Sequence, residues 1–297
     1  MDASDRRIRL TRDGNVAIVT LDDPQRRNAL SLEVTTQLAA AVDEVARDES
    51  VGALVLTATP PAFCAGGSVD DLLEPRASLR EMYAGFLAVA GLPIPTIAAV
   101  NGPVIGAGVN LPLACDVILA SPSARFDPRF MDLGIHPGGG HLWRMQRLVG
   151  RQAAAAMVIF GEALSGEEAA RLGLAWKCVD DADLLDTAVA MARRAADRPR
   201  ELVMRAKSVL DASAAVDTGA DAFELEFSHQ EWSMQQASFL ERLEELRART
   251  GRTRRLTPRC GTRGGRRACR RRPGPRARFG GGAIRGRLHR TGERRRA

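Results

Sequence analysis

The stretch PAFCAGGSVD, residues 61–70, sets two glycines, Gly66 and Gly67, directly ahead of DDLLEPRASLREMYAGFL, whose apolar spacing predicts a helix running to about Val89. NGPVIGAGVN, residues 101–110, repeats the device ahead of a helical VNLPLACD. Neither loop carries a reactive side chain where the chain is barest. The backbone N–H groups are therefore the expected functional groups, with small residues leaving room for a ligand atom to approach them closely.

Outward from these loops the chain alternates strands and helices. IRLTRDG and VAIVTLD are short alternating runs joined at Asp13-Gly14, a hairpin signal. Ser31 supplies an N-cap for SLEVTTQLAAAVDEVARD, and VGALVLTA reads as a buried strand. TIAAVNG, VILAS and ARFD continue the pattern, which places the chain in the α/β class as a stack of strand, glycine loop and helix units. From about residue 185 the pattern is helical, and residues 223–249 read as one long amphipathic helix. The expected organisation is an α/β body over residues 5–195 carrying the site, then a helical oligomerisation region over 196–250.

The chain has 297 residues and a formal net charge of +7, but the charge is unevenly placed. Residues 251–297 hold 18 Arg and one Glu, a net of +17, which leaves −10 for residues 1–250. An acidic body has no general affinity for polyanions, so a nucleic-acid partner is not expected despite the basic tail. The tail, rich in Arg, Gly and Pro, has no hydrophobic period and is expected to be disordered. Its composition is also what a GC-rich gene yields when read out of frame. No apolar run is long enough for a membrane span, the N-terminus is too polar for a signal peptide, and a cytoplasmic location is expected. Cys64, Cys115, Cys178, Cys260 and Cys269 show no paired or metal-ligand spacing and read as reduced thiols, and no metal is expected.

Five runs in order, RRNALS, AFCAGGSVDDL, NGPVIGAGVNLPLACDVILAS, FDPRFMDLGIHPGGGHLWRMQRLVG and GEALSGEEAARLGLAWKCV, resemble the crotonase, or enoyl-coenzyme A hydratase/isomerase, superfamily over about residues 8–248. The resemblance implies a spiral of ββα turns followed by helices that build homotrimers, often paired as hexamers. It implies an acyl-coenzyme A (CoA) thioester as substrate, with no separate cofactor. It makes the N–H groups of Gly67 and Ala107 the donors of an oxyanion hole for the thioester enolate. It places the carbonyls of Ala62 and Ala65 against the adenine of CoA, and Arg26 or Arg27 against its phosphates.

The chain departs from the family at the acid and base. Hydratases of the family use two glutamates, and the matching positions here are Asn110 and Phe130, neither of which exchanges a proton near neutral pH. Phe130 would dry the pocket and favour aromatic or bulky acyl chains, and Asn110 could still orient a water. Nearby groups able to move a proton are Asp132, His136 and His141, although HPGGGH also reads as a helix entry. Two function classes follow: a CoA-thioester enzyme (hydratase, isomerase, hydrolase or other enolate chemistry with a relocated base), and a non-catalytic acyl-CoA binder.

Overall fold

A computed structural model describes residues 6–255. Its larger sheet has six strands: β1 (Ile8–Asp13), β2 (Val16–Leu21), β3 (Ala53–Ala58), β4 (Thr96–Val100), β6 (Val117–Ala120) and β9 (Lys177–Cys178), adjacent in that order. The expected hairpin is present, turning at Gly14 with φ 61° and pairing β1 with β2 antiparallel. All other pairs in this sheet are parallel. A second sheet of three short strands orders β5 (Pro103–Ile105), β7 (Arg125–Asp127) and β8 (Leu164–Ser165). Each turn of chain after β4 thus gives one strand to each sheet.

Every residue of β3 and β4 is buried, as expected of strands covered on both faces. Leu54 and Leu56 join the cluster that holds Val34, Leu38, Val42 and Val45 of α1 (Leu32–Arg47), while Ala53 and Val55 face Leu184, Ala188 and Ala192 of α8 (Leu184–Ala196). The period of two along one strand therefore builds two cores, one on each side of the sheet. Burying a leucine in this way contributes about 1.5–3 kcal/mol. Ser31 caps α1 as expected, its hydroxyl accepting from the Val34 N–H at 3.2 Å.

The single helix expected to run to Val89 is three. α2 (Val69–Leu73) stops before Pro75, which lacks an N–H and forces Glu74 out of helical geometry. α3 (Leu79–Met82) restarts on a Ser78–Glu81 capping box, and α4 (Ala84–Gly91) follows at Tyr83. After β5 a 3-10 turn, Gly106–Val109, leads into α5 (Asn110–Leu113). Another 3-10 turn, Met131–Leu133, precedes α6 (His141–Ile159), which Gly150 interrupts with φ 75°. α7 (Gly166–Leu172) and α9 (Arg200–Ser213) complete the elements up to residue 213.

The long amphipathic helix expected over 223–249 is divided into α10 (Gly219–Met234) and α11 (Ala237–Arg255). Polar side chains take the carbonyls at the break: Gln236 Nε2 donates to Trp232 O at 2.9 Å and Ser233 Oγ to Gln230 O at 2.7 Å. α11 also carries regular backbone past residue 251, where the basic tail was expected to begin without structure. The rest of that expectation lies outside the described residues. No helix among the described residues is long and apolar enough to cross a membrane.

One close approach couples the second glycine loop to the first. A Cβ on Gly108 would stand 2.8 Å from Cys64 Sγ and 2.9 Å from Cys64 O, and that backbone oxygen cannot step aside. Gly108→Ala is expected to destabilise the protein by about 1–3 kcal/mol, the usual cost of overpacking, in urea unfolding followed by circular dichroism.

Candidate active site

The loop at residues 63–68 is fastened on both sides. On one side the Phe63 N–H donates to Pro103 O at 3.0 Å and the Ile105 N–H to Cys64 O at 2.9 Å. On the other, the Ala65 N–H donates to Arg27 O at 3.0 Å, the Leu30 N–H to Gly66 O at 2.7 Å and the Ser68 N–H to Leu30 O at 2.9 Å. The Gly67 N–H has no backbone acceptor among the described residues, whereas the Gly66 N–H, also without one, faces the Cys64 sulfur. Gly66 has φ 95°, and a Cβ there would lie 2.8 Å from Ile105 O and 3.8 Å from the Ala107 nitrogen. Glycine is required on both counts: left-handed backbone and contact between two main chains.

That contact sets the first loop beside the start of the second. Gly106, φ 52°, opens the 3-10 turn, and Ala107 is the turn's second residue. Its N–H is one of those a helix cannot pair internally. Two adjacent loops therefore each present, at half-buried residues, an N–H with no acceptor among the described residues: Gly67 and Ala107. Leu72 lies beside Gly67, its Cδ1 3.5 Å from a Cβ placed there. Cys64 contributes no nucleophile, since burial pushes its thiol up to about 12.

Beyond Ala107 by three residues, Asn110 is buried and holds two partners. Its Nδ2 donates to Gly138 O at 3.2 Å, and its Oδ1 lies 3.0 Å from Nδ1 of His141. Phe130 packs against the same imidazole, the rings 4.9 Å apart and inclined at 71°. Asn110, Phe130 and His141 thus form one buried trio. Asp132 and His136 lie elsewhere: Asp132 has a 70% exposed side chain 4.0 Å from Arg129, and the exposed His136 ring contacts its neighbour's carbonyl, Pro137 O. No ion pair or hydrogen bond joins either of them to the trio.

Residues 23–28 carry the basic side chains next to the first loop. Arg27 and Asn28 both have left-handed backbone, φ 51° and 57°. Asn28 is fully buried, accepting from the Asp23 N–H at 2.8 Å and donating to Thr59 O and Ala62 O at 2.9 and 2.7 Å. One lone pair of Ala62 O is therefore already engaged, whereas Ala65 O has no partner among the described residues. Arg26 lies 3.4 Å from Asp23, and the exposed Arg27 makes no side-chain bond among the described residues. A cleft of about 440 Å³ lined by Arg26, Ser68 and Asp70 adjoins this segment.

Residues 11–247 match the enoyl-CoA hydratase/isomerase family. The chain belongs to that family. Probable enoyl-CoA hydratase EchA14 of Mycobacterium tuberculosis is 43% identical over 246 residues, covering 79% of this chain and 94% of that protein. The 1,2-epoxyphenylacetyl-CoA isomerase of Escherichia coli is 34% identical over 235 residues, covering 76% and 89%. The enoyl-CoA hydratase structure from Mycobacterium smegmatis superposes with a TM-score of 0.76 at 30% identity, covering 82% of this chain and 97% of that one. The mixed α/β fold is thus that of the enoyl-CoA hydratase/isomerase family.

The sequence singled out Gly67, Ala107, Asn110 and Phe130; in the structure the two glycine loops touch, and Asn110 and Phe130 both contact His141. It gave no reason to join Asn110 to His141, which stand 31 residues apart with no shared period. His141 is 1% exposed, and its pKa falls to about 4, mainly through burial and secondarily through the Arg144 charge. The ordinary value is 6.5, so the unfolded chain binds more protons between these values and stability falls as pH drops from about 6.5 through about 4. The loss expected from this one group is about 3 kcal/mol. Urea unfolding at pH 7 and pH 4.5 should show most of it in the parent chain and little of it in a His141→Gln variant.

Proposed function

We propose that the chain binds an acyl-CoA thioester and stabilises its enolate on the N–H groups of Gly67 and Ala107. The observation that carries this reading is that these two N–H groups, in touching loops, have no acceptor among the described residues. When a thioester loses a proton from its α-carbon, negative charge moves onto the carbonyl oxygen. Two fixed donors aimed at that oxygen lower the barrier, each by about 2.7–4 kcal/mol. Leu72 beside Gly67 and buried Phe130 keep the neighbourhood apolar, which strengthens those hydrogen bonds.

The reaction favoured is a proton shift within the thioester, such as conversion of a 3-enoyl to a 2-enoyl chain. Hydration needs water to be activated and a second proton delivered, and no carboxylate touches the Asn110, Phe130 and His141 trio. Hydration is the second reading, favoured by the name of the 43% identical mycobacterial relative.

The reading extends to coenzyme and assembly. Arg27, with Ala65 O, meets the nucleotide end of CoA, and no separate cofactor is needed. The body over residues 5–195 carries the site in the cytoplasm, and the helical region over 196–250 builds a homotrimer or hexamer. Exposed Trp143, Phe160 and Trp176 are large apolar groups that such an assembly would cover.

Incubating the full chain in heavy water with 2-enoyl and 3-enoyl CoA thioesters, and weighing the products, tests the reaction. Deuterium uptake without added water is expected; gain of a whole water would establish hydration instead. Thioester binding with no mass change would defeat the enolate reading. Ala107→Pro removes one donor and is expected to slow deuterium uptake about 10²- to 10³-fold with thioester binding retained.

A further inference from the structure

We infer that His141, held by Asn110, is the proton carrier of this site; the inference rests on the enolate reading above. Its ground is an orphan: Nε2 of His141 is buried with no hydrogen-bond partner among the described residues. Leaving a buried acceptor unpaired is costly, and such groups are rare enough in native proteins to demand a reason.

The hydrogen-bond pattern fixes which nitrogen is bare. Gly138 O can only accept, so the Asn110 atom 3.2 Å away is the donor Nδ2. Asn110 Oδ1 therefore faces His141 Nδ1 at 3.0 Å, and since that oxygen only accepts, Nδ1 carries the proton. In the neutral ring Nε2 then holds a lone pair. Burial keeps the ring neutral, and so does the one charged group facing it, Arg144 on the same helix. Asn110 and Phe130, packed from the other elements, bring no charge, and the exposed Asp132 is turned toward Arg129. An amide that fixes an imidazole tautomer leaves the far nitrogen free to act as a base.

The location suits the chemistry. Asn110 is three residues past Ala107, one turn of the 3-10 segment or about 6 Å along it. A thioester whose oxygen is held at Ala107 thus has its α-carbon next to the pair. Phe130, edge-on to the imidazole, is the side chain that an entering acyl chain would move aside to reach it.

The step balances with one base. Nε2 takes a proton from C2 of a 3-enoyl thioester; the C–H bond breaks and its electron pair moves into the enolate, whose oxygen rests on the two N–H groups. The imidazolium exchanges its proton with solvent and returns one to C4 as the carbonyl re-forms and the double bond moves into conjugation, which is how solvent deuterium enters the product. No water is added to the substrate and no second acid is needed. His141 is then the catalytic residue and Asn110 a positioning residue.

The test uses the full chain. Nitrogen-15 NMR of labelled histidine should show His141 at pH 7 with a proton on Nδ1 and a bare Nε2; the opposite tautomer or a charged ring would overturn the assignment. His141→Gln should lower deuterium uptake from solvent into a 3-enoyl-CoA by about 100-fold or more while an unreactive acyl-CoA still binds. Uptake that survives His141→Gln but is lost in Asp132→Asn or His136→Ala would also overturn it. Asn110→Asp sets a carboxylate on Nδ1 and stabilises the imidazolium. The acid limb of kcat/KM should therefore move to higher pH, since the neutral ring is lost earlier as pH falls, and an unmoved limb would count against the pair. Binding without uptake in the parent chain would remove the enolate reading itself, whereas uptake in the parent that ignores His141 would remove this inference alone.

Discussion

Two main chains meet here at a distance that admits no side chain. Gly66 lies against Ile105 O and Gly108 against the backbone and sulfur of Cys64, so each glycine loop is the other's wall. The parallel bridges Leu30 to Gly67 and Cys64 to Val104 fasten that seam to the rest of the fold. Gly66 O and the Ser68 N–H are spent on these bonds and the Gly66 N–H faces the Cys64 sulfur, so the Gly67 N–H is left without an acceptor among the described residues. The donors are rigid because their neighbours are fully engaged. Preorganisation of this kind makes backbone dipoles effective toward developing charge, since no reorganisation is required at the moment of reaction.

The sheet supplies the frame that holds this seam in place. β3 and β4 run immediately before the two loops, and both strands are buried along their whole length, with α8 packed on one face. A strand packed on both faces cannot slide by one residue without exchanging its two cores, because its side chains alternate. The register of Leu54 with Thr96, and of Leu56 with Ala98, therefore also fixes where the loops begin.

Local signals in the sequence were enough for the strands, the Ser31 cap, the hairpin at Gly14 and the two glycine loops, because each depends on neighbours in the chain. The helix after the first loop was read too long, since the apolar spacing outweighed Pro75. The helix over 223–249 was likewise read as continuous, since its break rests on Gln236 and Ser233 capturing carbonyls. In the site, Gly67, Ala107, Asn110 and Phe130 were singled out through the family resemblance. The bond from Asn110 to His141 was not, because it spans a strand pair, a turn and a glycine run that only the folded chain closes. The engagement of Ala62 O by the Asn28 amide was hidden for the same reason.

The chain contains one tyrosine, Tyr83, and its hydroxyl stands over Gly138, the residue whose carbonyl receives the Asn110 amide. Its ring lies 5.0 Å from that of Phe86, and burial raises the phenol's pKa. The fold thereby carries its own spectroscopic label. A fluorinated tyrosine would give a single resonance from the edge of the site, free of overlap from any other position in the chain, so that occupancy could be followed without a dye or an engineered cysteine.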